Sequence, residues 1–305
     1  MTIFRPCIDL HSGQVKQIVG GTLDENAPGS LKTNFVSPHP PAHFSRLYRD
    51  NGLRGAHVIM LGPGNADAAR EALAAWPGGL QVGGGITDQN AREWIDAGAE
   101  KVIITSHLFP EGRFSQPRLD AVLASLGGDK TKLVVDLSCR RQQDGAGAAP
   151  RWFVAMNKWQ TITDMEVNQG ESTYHYHYYR PPVLCWSLCT FRVGIKGNAP
   201  VLTSIFLSAE SISQLEPYCS EFLIHAADNE GLQRGVDEDL ITKLSQWCSI
   251  PVTYAGGGRN LADLDNVASL SSGKVDLTIG SALDCFGGSG VKLDECVAWN
   301  RRQTQ

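Results

Sequence analysis

The 305-residue sequence is short of several things, and each shortage narrows what the chain can be. No apolar run approaches the ~18–20 residues that a bilayer span requires. The opening stretch, MTIFRPCIDLHSG, has neither the apolar core nor the small-residue cleavage site of a secretory leader. A soluble cytoplasmic protein with no membrane partner is therefore expected. Charge is sparse, at 19% of residues, and mildly acidic, with 27 Lys+Arg against 32 Asp+Glu and a net charge of -5. A nucleic-acid binder normally presents a basic face, so no nucleic-acid partner is expected. The eight cysteines are scattered, and Cys185 and Cys189 have no second pair nearby to complete a metal site, so reduced thiols and no metal are expected. The loop after the first strand reads DLHSGQVKQIVGG and lacks the GxGxxG of a dinucleotide-binding sheet.

What is present suits a globular α/β protein. Hydrophobic residues make up 42% of the chain, and 32 glycines are spread through it without a collagen period. Short β-branched runs begin near residues 3, 55, 80, 101, 132, 221, 252 and 275. Between them lie helix-like segments over 42–51, 66–76, 117–126, 237–247, 261–270 and 291–301, and one running from an Asp88 cap to Ala97. The strands show little strict polar/apolar alternation, as expected of parallel strands covered by helices. Eight βα units predict a closed (β/α)8 TIM barrel over residues 1–305, with a doubly wound sheet as the rival.

The chain also resembles itself. Val82-Gly83-Gly84-Gly85 is echoed by Ala255-Gly256-Gly257-Gly258, and Cys7-Ile8-Asp9-Leu10 by Val134-Val135-Asp136-Leu137. This predicts two half-barrels, the second longer by about forty residues. The surplus falls in an atypical insertion at approximately 170–209, GESTYHYHYYRPPVLCWSLCTFRVGIKGNAPVLTSIFLSA, before strand six. It contains four of the seven tyrosines and shows no capped helical period. Three origins fit: an aromatic lid over a ligand, an insertion packed outside the barrel, or translated intron sequence. The third best explains why Met165–Gln169 and Glu210–Gln214 read naturally when joined.

Barrel active sites form where strands end. Asp9 and Asp136 end strands one and five, on opposite sides of the ring, where paired carboxylates suit acid and base work on one substrate. Gly84 and Gly85, with Thr105 and Ser106 after strand four, form one prospective phosphate cup. Gly257 and Gly258, with Gly280 and Ser281 after strand eight, form the other. The expected ligand carries a phosphate at each end and reacts near its centre. Tight turns and loop-anchoring aspartates are the plainer reading of the same residues.

The segments PCIDLHSGQVKQ, QVGGGI, VVDLSCR, FLIHAADNEG, YAGGGR and LTIGSAL together resemble the phosphoribosylformimino-5-aminoimidazole carboxamide ribotide isomerases of histidine biosynthesis. FLIHAADNEG and DLSCR with AMNKWQ point to the eukaryotic, fungal-type single-function form. The resemblance implies an aldose–ketose (Amadori) isomerisation of a bis-phosphorylated ribotide by a monomer, without metal or other cofactor. It casts Asp9 as the base that removes the C2′ proton and Asp136 as the acid that opens the furanose ring. It departs from the bacterial pattern at His11, at His225 (where Thr is usual) and at Glu230 (where Asp is usual). His225 is expected to contact substrate, with Asp228 and Glu230 positioning it or the ribose chain. Gly20-Gly21 is expected to help the first loop fold over substrate. Trp152 and Trp159 are open to either stacking or packing, and Arg140 to either a phosphate or solvent. The alternatives are the cyclase-type half-barrel of the same pathway and a non-catalytic phosphometabolite-binding barrel.

Overall fold

The computed structural model describes residues 1–19, 22, 31–143, 148–156, 159–168 and 211–303. Gly20-Gly21 and the 170–209 block lie outside them.

The eight expected strands are present as one parallel ring. Strand one is split by Pro6 into Phe4–Arg5 and Cys7–His11, because proline cannot donate to the ladder. The first piece pairs with Val275–Thr278 and the second with Ala56–Met60, so the split strand closes the barrel. The remaining order is Leu80–Gly83, Lys101–Ile104, Leu133–Asp136, Glu221–His225 and Val252–Ala255, each parallel to its neighbours. Helices Pro41–Asp50, Ala66–Ala75, Ala91–Asp96, Gln116–Ser125, Ser211–Leu215, Glu238–Trp247, Leu261–Ser271 and Leu293–Gln303 follow the strands. Asp237 and Asn260 cap their helices through side-chain oxygens. Asp88 does not: the cap is Asn90, and Asp88 pairs with His107 at 3.1 Å.

One element goes beyond what the sequence implies, and a second enlarges the extended hairpin arm that the sequence suggests at Trp152–Trp159. Gln14–Ile18 folds back antiparallel on strand one as part of the first loop. After strand five, Cys139–Gln142, Arg151–Met156 and Thr161–Glu166 form a separate antiparallel sheet.

Inward-facing side chains divide the barrel into layers. At the floor Glu221, 2% exposed, accepts from Arg5 (3.0 Å), Lys101 (2.9 Å), Gln81 (2.9 Å) and Thr253 (3.1 Å). A buried carboxylate survives only with such saturation, and here the neighbouring cations hold its pKa below the usual range despite the cost of burial. Above it Ile103, Val134, Leu223 and Ala255 form an apolar layer with Ile59 against them. Strands are too short to continue far beyond this point, so the third layer is the mouth. Packing between strands and helices forms the larger core, with Ile8, Val58, Val82, Val102, Phe222 and Leu277 fully buried.

Candidate active site

The mouth brings Asp9, Asp136 and His225 together. Asp136 and His225 end their strands, whereas Asp9, expected at the end of strand one, lies in the middle of Cys7–His11, because that strand runs on to pair with Gln14–Ile18. Asp9 accepts from the Gln17 side-chain amide at 2.9 Å and lies 3.5 Å from the Cys7 thiol. Burial, then the charge of Glu230, raises its pKa to about 7, with His225 acting in the opposite direction. Asp136 receives the Ser138 hydroxyl at 3.0 Å and a hydrogen bond from the Thr105 side chain. Its pKa is also raised, because burial outweighs the His225 charge and these donors. Both carboxyls are thus shifted toward the range in which a group can exchange protons near neutrality.

His225 stands between them. Its Nε2 lies 2.7 Å from Glu230, and burial is outweighed by Glu230, Asp136 and Asp9, so its pKa rises to about 9. The ring is an imidazolium at neutral pH. Glu230 is its hydrogen-bond partner. Asp228 does not bond His225: it accepts from the Arg140 side chain (2.9 Å) and the Arg141 backbone (2.8 Å). The tryptophans separate as well. Trp152 is buried, donates to Asp237 and packs edge-on against Trp247. Trp159 comes from the hairpin after strand five, has φ of 66°, and its ring centre lies 4.9 Å from that of His225.

The glycine cups occupy the expected strand ends. Gly84 and Gly85 have φ of 93° and 72°, and a Cβ on Gly84 would collide with the Met60 carbonyl. Gly257 has φ of 80°, and a Cβ there would collide with the Gly235 carbonyl; Gly258 has its usual φ but abuts Ile279. Gly84, Gly85, Thr105 and Ser106 line a cavity of about 880 Å³ together with Asp136, Trp159 and His225. Gly257, Gly258, Gly280 and Ser281 line a tighter cavity of about 30 Å³ with Asp9, Glu230 and again His225. Thr105 faces the Asp136 carboxylate.

Two residues of this layer escaped the sequence reading. Gln17 is 1% exposed and holds Asp9. Thr278 is 6% exposed, lines the tighter cavity, and its hydroxyl has no partner among the described residues. Alternation carried a signal for each. In Gln14–Ile18 the buried Val15 and Gln17 share a face, and in Val275–Thr278 Asp276 and Thr278 occupy the face opposite Val275 and Leu277. A polar residue on the inward face of a barrel strand points at the floor or at the mouth.

Among the described residues no His/Cys/Asp/Glu cluster could hold a metal ion, and no helix is long and apolar enough to cross a membrane.

A family model described as "Histidine biosynthesis protein" matches residues 3–179 and 202–288. The interval it skips lies within the 170–209 block. A 1-(5-phosphoribosyl)-5-((5-phosphoribosylamino)methylideneamino)imidazole-4-carboxamide isomerase of Neurospora crassa is 68% identical, over 99% of this chain and 100% of that protein. Isomerases of the same name from Yarrowia lipolytica and Saccharomyces cerevisiae are 50% and 47% identical, each over 99% of this chain and at least 99% of their own. The chain therefore belongs to the histidine biosynthesis protein family.

Proposed function

We propose that the chain is the aldose–ketose isomerase of L-histidine biosynthesis, converting the phosphoribosylformimino aminoimidazole carboxamide ribotide to its phosphoribulosyl form. The observation that carries this is two carboxyls on opposite strands, flanked by two glycine cups, in a chain so similar to isomerases of that name. The substrate's phosphates lie one in each cup, on backbone N–H groups of Gly84, Gly85 and Ser106 and of Gly257, Gly258 and Ser281. Its reacting ribose is then centred on His225.

Asp136 gives its proton to the ring oxygen as the anomeric nitrogen's lone pair forms the C1′–N double bond, which opens the furanose. Asp9 takes the proton from C2′, and that electron pair moves to C1′–C2′ and neutralises the iminium nitrogen. The resulting enolamine gains a proton at C1′ as its C2′ hydroxyl loses one, leaving the ketone. C2′ is oxidised and C1′ reduced within one molecule, so no external electron carrier enters. The imidazolium of His225 stabilises both carboxylates in turn, and Trp159 offers a face on which the imidazole of the substrate stacks. The protein works as a monomer in the cytoplasm and needs neither nucleic acid nor membrane. Conversion of the purified ribotide without added ammonia tests the reading; ring closure only with ammonia would assign the cyclase reaction instead.

The domain reading follows the same line: one barrel, with 170–209 dispensable to it. In support, the Ile212 N–H donates to the Asn168 carbonyl at 3.1 Å, and the Asn168 N–H donates to the Ser211 hydroxyl at 3.1 Å. With Gln169 joined to Glu210 these become a helical i→i−4 bond and half of a capping box. Deleting 170–209 is expected to preserve kcat/KM and improve solubility; loss of folding on deletion would overturn this reading.

A further inference from the structure

The motif PCIDLHSGQVKQ ends on Gln17, a residue to which the reaction as written gives no task. Its position is unusual for a loop glutamine. Gln14–Ile18 pairs back on strand one, Leu10 opposite Val15 and His11 opposite Gln14, and this return swings Gln17 into the mouth. There the side chain is almost wholly buried. Its Nε2 donates to Asp9 Oδ2 at 2.9 Å and reaches the Cys7 sulfur at 3.8 Å. Its Oε1 lies where a Cβ on Gly280 would stand 2.6 Å away, so the glycine of the second cup makes room for this side chain.

We propose that Gln17 is a positioning residue for the base, clamping Asp9 through Oδ2 so that Oδ1 is the oxygen offered to the substrate proton. The inference rests on Asp9 being the base. Among the described residues the side-chain contacts of Asp9, from Gln17 and Cys7, both fall on Oδ2. A buried amide costs free energy unless its donors are used, and here one donor is spent on the carboxylate. The bond also favours the charged form, against burial and the Glu230 charge. The other groups that face Asp9 do not supply this. Cys7 is a thiol whose ionisation is suppressed, Tyr48 is buried and un-ionised and gives its hydroxyl to the Cys7 carbonyl, and His57 is held neutral by burial. His225 is committed to Glu230 at 2.7 Å.

The test is the pH dependence of kcat/KM together with an NMR titration of the Asp9 side-chain carboxyl in substrate-free protein. Gln17→Met keeps the volume and removes the donor. It is expected to move the Asp9 midpoint and the acid limb of kcat/KM upward by about one unit, costing about fivefold at pH 7 and nearly nothing above pH 9. Gln17→Glu keeps the shape but sets an acid against Asp9, and is expected to move both midpoints further. It carries the same comparison if the Met variant fails to fold. An unmoved carboxyl midpoint, or a loss of activity equal at every pH, would overturn the proposal. Asp9→Asn separates this from the reading beneath it. If that variant turns over normally, Asp9 is not the base, whereas a dead Asp9→Asn beside an unshifted Gln17→Met removes only the role of Gln17.

Discussion

The two halves of the mouth start from equivalent strands and end differently. On one side, Gly84, Gly85, Thr105, Ser106 and Asp136 surround about 880 Å³; on the other, Gly257, Gly258, Gly280, Ser281 and Asp9 leave about 30 Å³. The strands do not account for this. The loops do: Gln17 fills the tighter half from the first loop, and Gln233 bonds the Ser281 carbonyl from the sixth, at 2.8 Å. The roomier half is bordered by the hairpin after strand five, through Ala155, Met156 and Trp159. A repeated barrel thus supplies matched strand ends, and unmatched loops give the two carboxyls different surroundings. In the function proposed above, that difference is what lets one carboxyl act as acid and the other as base on the same ribose.

The comparison can be broken most decisively at the carboxyls. Asp9→Asn and Asp136→Asn are each expected to lower kcat by about 10²–10⁴-fold while phosphate-anchored binding, read by calorimetry with a substrate analogue, changes little. Unchanged turnover in both would leave a binding barrel. The glycines are alike in the two halves. Gly257→Ala meets a positive φ and the Gly235 carbonyl, and its counterpart Gly84→Ala a positive φ and the Met60 carbonyl, so each is expected to cost about 3 kcal/mol in denaturant unfolding, whereas Gly85→Ala meets only the φ and costs about 1 kcal/mol. Equal costs at Gly84 and Gly85 would contradict the close approach of the Met60 carbonyl.

Asp9 also makes stability pH-dependent. Its folded pKa of about 7 stands above the ordinary 3.8, so its charged form is disfavoured in the native state. The stability associated with the protonated group is present below pH 4 and lost as pH rises through 7. Asp9→Asn should therefore be more stable than the parent by about 2 kcal/mol at pH 8, with no gain at pH 4. Melts that differ equally at both values would contradict the raised pKa. A modest effect is expected at Trp159. Trp159→Ala should raise KM about tenfold, corresponding to ~1.4 kcal/mol, with little change in Tm, whereas the buried Trp152→Ala should lower Tm.

Much of this was legible before the fold. Short β-branched runs between amphipathic segments located all eight strands. Asp136 and both glycine triplets stand where strands end and barrel loops begin, whereas Asp9 lies two residues before the end of its strand, which the first loop extends by pairing back on it. Asp88 was misread because a capping carboxylate and a loop carboxylate look alike in one dimension. The geometry of the Asn90 turn, with Asn90 accepting from the Thr87 N–H at 2.8 Å, decides between them. For Asp228 the sequence leaves His225 and the ribose chain open as partners, and the fold pairs its carboxylate with Arg140, 88 residues away. Ion pairs between loops depend on which loops meet.

The sequence by itself therefore determined the barrel, its internal repeat and the residue types at its mouth, because these rest on local periodicity and on strand-end position. Only the tertiary structure decided which neighbours each group has: Gln17 on Asp9, Glu230 on His225, Thr105 on Asp136. Proton affinity depends on those neighbours and on burial, which come from contacts between residues far apart in the chain.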